Sequence, residues 1–169
     1  MLITPSGKDK ASLEADDIAM VDIATGENLT PGKKLSIETE MHRLIYISRS
    51  DALSVVHTHP VFSCLFSALD IDINTAIIAE NWYLLDKVVK VPYARMGSKE
   101  LASSVASFAK DSNAMLLENH GAVAIGRSLL EAFDRLESLE QAAKMTIFGQ
   151  RLGVHSLGEE ERTELSQMR

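Results

Sequence analysis

Cysteine is all but missing from this chain: Cys64 stands alone among 169 residues. That excludes an intrachain disulfide framework and fits a reducing compartment. Positive charge is short as well. Lys and Arg number 17 against 24 Asp and Glu, a formal net charge of −7. A nucleic acid or an anionic membrane surface would want the opposite balance, although a few local donors would still suffice for a phosphorylated small molecule. No apolar run approaches the ~20 residues of a membrane helix, and no basic-then-apolar leader opens the chain. Repeats and low-complexity stretches are also missing. What is present is 46% apolar residues, enough for a sizeable core. The expectation is a cytoplasmic globule with one domain over residues 1–169.

Met1 to Thr4 has strand-like residues, Pro5-Ser6-Gly7 reads as a turn, and Asp17 to Ile23 reads as a strand. Ser36 can cap a helix running to about Arg49, with Ile37, Met41, Leu44, Ile45 and Ser48 on one face. A strand over 53–59, a short helix over 61–69 and a helix over 73–85 follow. A strand over 87–91 and a helix capped by Ser98 come next. Strands over 114–118 and 122–125 then lead to a long helix opened by Ser128. The tail from Glu159 reads as a loosely held helix. Alternating strands and helices predict an α/β sandwich. Several strand-to-strand links are too short for parallel crossovers, so its sheet should be mixed or largely antiparallel.

The richest segment is Leu53-Ser54-Val55-Val56-His57-Thr58-His59-Pro60. On a strand, residues two apart share a face with Cα atoms roughly 6.6 Å apart, so both imidazoles can converge on one metal ion at about 2.0–2.1 Å each. The plainer alternative is one packed histidine and one solvated. His120, in the turn Asn119-His120-Gly121, can project from a sheet edge as a third ligand, with Gly121 expected at positive φ. Glu38 and His42 stack on one side of the first helix, either as a surface pair or as site residues at the margin of its apolar stripe. Glu140 falls within the long helix's apolar stripe, where an unpaired carboxylate is costly. It is expected to make an internal hydrogen bond or ion pair, with Lys144 as a candidate partner, or alternatively to contact a ligand histidine. Cys64 reads as core and His155 as surface. Thr4, Ser6, Gly7 and Ser36 offer hydroxyls and amides suited to an oxyanion or to simple capping.

Taken in order, these residues resemble the class II aldolase/adducin family. The matching pieces are Leu2-Ile3-Thr4-Pro5-Ser6-Gly7, Ser36-Ile37-Glu38 with His42, and Ser50-Asp51-Ala52 running into Val55-Val56-His57-Thr58-His59-Pro60. They continue with Leu116-Leu117-Glu118-Asn119-His120-Gly121, Gly126, and the long helix with Leu129, Glu131, Ala132 and Glu140. The resemblance implies a three-layer α/β/α sandwich, a divalent cation of the Zn2+ type, a small phosphorylated sugar as substrate, and a homotetramer with active sites between subunits. It implies His57, His59 and His120 as metal ligands and Glu38 as the catalytic acid/base. It also implies Ser6, Gly7 and Ser36 as the phosphate-binding residues.

A glutamate at position 38 is similar to the fuculose-phosphate aldolase branch. The related 4-epimerases typically have aspartate there, and the dehydratases lack a matching carboxylate. Adducin-type members have lost the ligand histidines, so a chain holding all three is expected to be an enzyme. The activity implied is cleavage of a ketose 1-phosphate to dihydroxyacetone phosphate and a short aldehyde through an enediolate. The alternatives are an epimerase or dehydratase of the same family, or a metal-binding, non-catalytic member. Against the family pattern, the chain is expected to lack an N-terminal helix and a Gly-Asn-x-Ser segment. Ile37 replaces a second serine. Where aldolases place a tyrosine proton donor the spacing puts Ile78, with Tyr83 as the neighbouring candidate.

Overall fold

The computed structural model describes residues 1–168. The chain enters through a short antiparallel ribbon, β1 (Leu2–Ile3) on β2 (Ala19–Met20), extended by a bridge between Val21 and Asn28. The strand expected over 17–23 is therefore short. Asp17 instead closes a one-turn helix, its carboxylate accepting the Glu14 N–H at 3.2 Å. Helix α1 (Thr39–Ser48) begins three residues after Ser36, because Ser36 forms a turn of its own that receives the amides of Glu38 and Thr39.

The central sheet has four strands in the order β3-β6-β5-β4: β3 (Ser54–Thr58), β6 (Gly121–Gly126), β5 (Ala114–Leu117) and β4 (Val88–Val91). β3/β6 and β6/β5 pair antiparallel and β5/β4 parallel, the mixed sheet that the short connections predict. Alternation sorts its side chains. Met115, Leu117, Val123 and Ile125 face α1 and α4 (Lys99–Phe108), packing on Met41, Ile45, Leu101 and Val105. Ala114, Leu116, Ala122 and Ala124 face the other layer. It is built from α2 (Val61–Ser67), α3 (Ala79–Leu85) and α5 (Leu129–Leu152). The small alanines let α5 lie close to the sheet through Leu139, Ala142 and Ala143. Each fully buried large aliphatic side chain contributes roughly 1.5–3 kcal/mol.

Ser98 and Ser128 cap α4 and α5 as their sequence positions predict, accepting the amides of Leu101 and Glu131 at 3.1 Å each. Gly153 ends α5 in the left-handed conformation, with φ 67°. The helix expected over 73–85 is split, because the Asn74 side chain caps a separate short turn over 75–77. The charged tail is anchored rather than loose. It forms α6 (Glu159–Gln167), and Trp82 Nε1 donates to the Arg162 carbonyl at 2.9 Å.

Candidate active site

The C-terminal end of β3 and the start of β6 bring three imidazoles together. Each of His57, His59 and His120 offers a ring nitrogen, and these lie within 4.8 Å of one another. Thr58 is the last residue of β3, so His59 is held by the chain that turns at Pro60 into α2. His120 arrives through a turn in which Asn119, not Gly121, takes positive φ, at 52°. A short amide side chain tolerates that conformation. Gly121 serves a different need. A Cβ there would sit 2.7 Å from both His59 Cδ2 and the Thr58 carbonyl, so only glycine lets β6 pass this close to the histidines.

The three imidazoles are close enough together that they could hold one metal ion. His57 Nδ1 lies 2.9 Å from the Ala122 carbonyl. A carbonyl only accepts, so Nδ1 donates its hydrogen and Nε2 is left with a free lone pair. That Nε2 is buried without a hydrogen-bond partner, as are His120 Nδ1 and Glu38 Oε1. Buried polar atoms are nearly always paired. The His57 Nε2 lone pair, within a group of three adjacent histidines, fits a cation that would complete it. Burial also favours the neutral, ligating form of His57 and His120. It lowers His57 from 6.5 to about 3, with smaller opposing help from the Ala122 hydrogen bond, and it lowers His120 too.

Glu38 stands beside this group, its Oε1 3.8 Å from His120 Nε2. Only 7% of the residue is exposed. Burial raises its pKa above the ordinary carboxylate range, partly offset by a hydrogen bond from the Gly97 amide. A carboxyl shifted upward and open to a cleft holds a proton more readily than a free one, as an acid/base group requires. His42, one turn along α1, lines the same cleft and is lowered to about 4 by burial alone. The two are therefore cleft residues rather than a surface pair.

The cleft itself encloses about 790 Å³ and is lined mainly by apolar groups, with Thr4, Lys10, Ser36, Glu38, His42, Thr58, Asn119 and the three imidazoles as its polar features. Residues 1–147 match the model of the family described as "Class II Aldolase and Adducin N-terminal domain". The chain belongs to the class II aldolase and adducin family. It is 34% identical over 145 residues to the L-fuculose phosphate aldolase of Methanocaldococcus jannaschii, covering 86% of this chain and 77% of that one. It is also 34% identical over 158 residues to the 3-oxo-tetronate 4-phosphate decarboxylase of Haemophilus influenzae, covering 90% and 74%. Among solved structures, Escherichia coli YgbL superposes with a TM-score of 0.91 at 32% identity, covering 98% of this chain and 81% of that one. An L-fuculose 1-phosphate aldolase superposes with 0.89 at 30%, covering 99% and 78%. These class II aldolase structures share the α/β architecture with its mixed central sheet.

Against the family's pattern, the structure distributes the sequence-named residues unevenly. His57, His59, His120, Glu38 and Ser36 share the cleft. Ser6 and Gly7 lie just outside its lining, on a turn tied down by the Ser6 amide bond to the Lys34 carbonyl at 3.0 Å. Gly7 takes φ 75° there. Tyr83 sits on α3 beside a different cavity, with Arg49, Arg127 and Arg135. Lys10 belongs to the cleft although nothing in its sequence neighbourhood signals it. Glu140 makes the internal hydrogen bonds expected of it, though with neither Lys144 nor a ligand histidine. Its carboxylate accepts from Phe62 N, Ser63 N and Ser63 Oγ at 2.8–2.9 Å, while Lys144 Nζ lies 5.8 Å from the Phe62 ring centroid. Cys64 is half-buried with its thiol pushed up by burial and by the Glu140 charge, and His155 is exposed. Among the described residues, no helix is long and apolar enough to cross a membrane.

The depressed histidines make stability depend on pH. Unfolded, both His57 and His42 would titrate near 6.5, whereas folded they titrate at about 3 and about 4. Between those limits the unfolded chain binds more protons, so stability rises with pH and is lost as pH falls. Each group contributes up to ~1.4 kcal/mol per pH unit inside its window. The melting temperature of the metal-free protein should fall continuously from pH 6.5 to 4, as calorimetry would read directly. A flat profile would show that these rings are not buried neutral.

Proposed function

We propose that this chain is a metal-dependent lyase that breaks the carbon–carbon bond beside the ketone of a small sugar phosphate. In the leading reading it is an aldolase, cleaving a ketose 1-phosphate such as fuculose 1-phosphate to dihydroxyacetone phosphate and a short aldehyde. The observation that carries this is the pairing of three mutually adjacent imidazoles with a buried carboxylate 3.8 Å from one of them. His57, His59 and His120 would hold a divalent cation, Zn2+ being well suited to three imidazole nitrogens. Bound there, it would supply Lewis-acid stabilisation of the negative charge that develops on the substrate's oxygens.

The protein's own groups would do the rest. The phosphate would settle where Ser36 and Lys10 line the cleft, with Ser6 and Gly7 on the adjoining turn. Lys10 Nζ donates to the Pro5 carbonyl at 2.7 Å, which leaves two N–H groups for an anion. When the bond breaks, its electron pair passes into an enediolate. Protonated Glu38 would return a proton to that carbon and be recharged from the next substrate hydroxyl. The apolar lining from Ile3, Ile37, Val55, Val56 and Met96 excludes water from the charge-bearing fragment. In the proposed homotetramer, Tyr83 of a neighbouring copy would be the candidate relay that takes the proton from the hydroxyl as it becomes the aldehyde, and donates it back to the aldehyde in the bond-forming direction, since within one chain it lines another cavity.

A second reading is favoured by that last point. Among the residues lining the cleft there is no tyrosine, and Glu38 is the sole acid. Loss of CO2 from a 3-oxo-tetronate 4-phosphate, the substrate named for several relatives, would leave the same three-carbon enediolate with no hydroxyl proton to remove, so it needs no second acid–base group. The test offers the purified, zinc-loaded protein each substrate in turn. Dihydroxyacetone phosphate is followed with a coupled dehydrogenase, and the second fragment is identified. Aldehyde from fuculose 1-phosphate supports the aldolase, and CO2 from the oxo acid supports the decarboxylase. Turnover of a pentulose phosphate without fragmentation would point to an epimerase instead and defeat both.

A further inference from the structure

Helix α2 adjoins the chain that carries His59 at one end and the turn that carries His120 at the other, and one side chain from α5 fastens it. Its first residue follows His59 and Pro60 directly, and Pro60 supplies no side-chain cap. Its last residue, Ser67, accepts the Asn119 amide at 3.2 Å, holding the turn that presents His120. Between them, Cys64 Sγ lies 3.8 Å from the His120 carbonyl. The orphan amides at the start of this seven-residue helix have no local acceptor. They are met from α5. Glu140 Oε1 accepts from Phe62 N at 2.9 Å, and Oε2 accepts from Ser63 N and Ser63 Oγ at 2.8 Å each. Ser63 is wholly buried, so these bonds have no water to replace them.

We propose that Glu140 is a positioning residue for the metal centre: by pinning the first turn of α2 to the core helix α5, it fixes His59 at one end of α2 and His120 at the other. The inference rests on the three histidines holding a cation. The bonds are charge-assisted and bidentate, and α5 is anchored on the sheet through Leu139, Ala142 and Ala143. Without them α2 could rotate about Pro60, displacing two ligands at once while leaving His57, which is locked to Ala122, in place.

The experiment titrates metal-free wild type, Glu140→Gln and Glu140→Ala with Zn2+ against a competing chelator dye, and records the visible spectrum of each with Co2+. Gln retains one acceptor and Ala none. Zinc affinity should fall about tenfold in Glu140→Gln and nearer a hundredfold in Glu140→Ala, the range seen when groups that orient metal ligands are removed. The cobalt bands should shift in the same order. Leu101→Ala, a core truncation in α4 on the other side of the sheet, serves as the control for general loss of stability. It should lower the melting temperature while leaving zinc affinity and the cobalt spectrum of the folded protein unchanged. Unchanged affinity and spectrum in both Glu140 variants would overturn the proposal, and so would equal losses in Leu101→Ala. A wild type that binds neither Zn2+ nor Co2+ would remove the metal reading first, a failure distinct from the others. If Glu140→Ala does not fold, the Gln variant decides alone.

Discussion

Exchange of His57 for alanine is expected to abolish both metal retention and turnover while leaving a folded protein. Of the three imidazoles it is the one whose geometry is most completely specified. Its Nδ1 is committed to the Ala122 carbonyl at 2.9 Å, so Nε2 keeps a free lone pair, and that atom is buried with no hydrogen-bond partner. Removing it leaves two donors, one of them on the exposed His59. Charge stabilisation by a cation is worth several kcal/mol in the transition state, and each ~1.4 kcal/mol is tenfold in rate. The loss in kcat/KM should therefore be about a thousandfold or more, with bound zinc below stoichiometric by elemental analysis. The fold should survive, because β3 keeps its ladder to β6 through backbone groups alone. His155→Ala, a change at an exposed residue remote from the cleft lining, should alter neither quantity. Full activity with full metal in His57→Ala would mean that the three-histidine group is not the working site.

Much of this site was readable because its signals are local. A β-branched run ending in His-x-His fixes a strand and the shared face of two rings through the two-residue period, and no tertiary knowledge is needed. Ser98 and Ser128 are likewise caps whose partners lie three residues ahead. Whatever depended on distant partners was hidden. Glu140 could be recognised as a carboxylate needing a partner, but its acceptor role lies 77 and 78 residues back along the chain. No spacing rule connects α5 to α2. Lys10 enters the cleft because a loop folds over the ribbon. Gly121 looked like a turn glycine, and its reason is the histidine ring it faces. Tyr83 was proposed from alignment of spacing alone, which says nothing of which side of α3 it occupies. The boundaries missed at Asp17 and Asn74 share one cause: side-chain oxygens there capture backbone amides and stop a regular element from propagating.

Substituting Gln for Glu38 is expected to separate catalysis from stability, because the two draw on opposite properties of one carboxyl group. Loss of a positioned acid/base costs typically 10²–10⁴ in rate. Zinc affinity should stay close to wild type, since the three imidazole nitrogens are untouched. Stability should move the other way. Burial raises the folded pKa of Glu38 above its ordinary value, so the folded protein holds this proton to higher pH than the unfolded chain does. The sign follows: above the folded pKa the buried charge subtracts from stability, and below the unfolded pKa, with the group protonated in both states, it subtracts nothing. Gln is neutral throughout and its oxygen can still accept the Gly97 amide. The metal-free variant should therefore melt above wild type at pH 8, with the difference closing as pH is lowered toward 4. Equal melting temperatures at both pH values would show that Glu38 is hydrated in solution, and a carboxyl so hydrated would lack the raised affinity for a proton on which its proposed role depends.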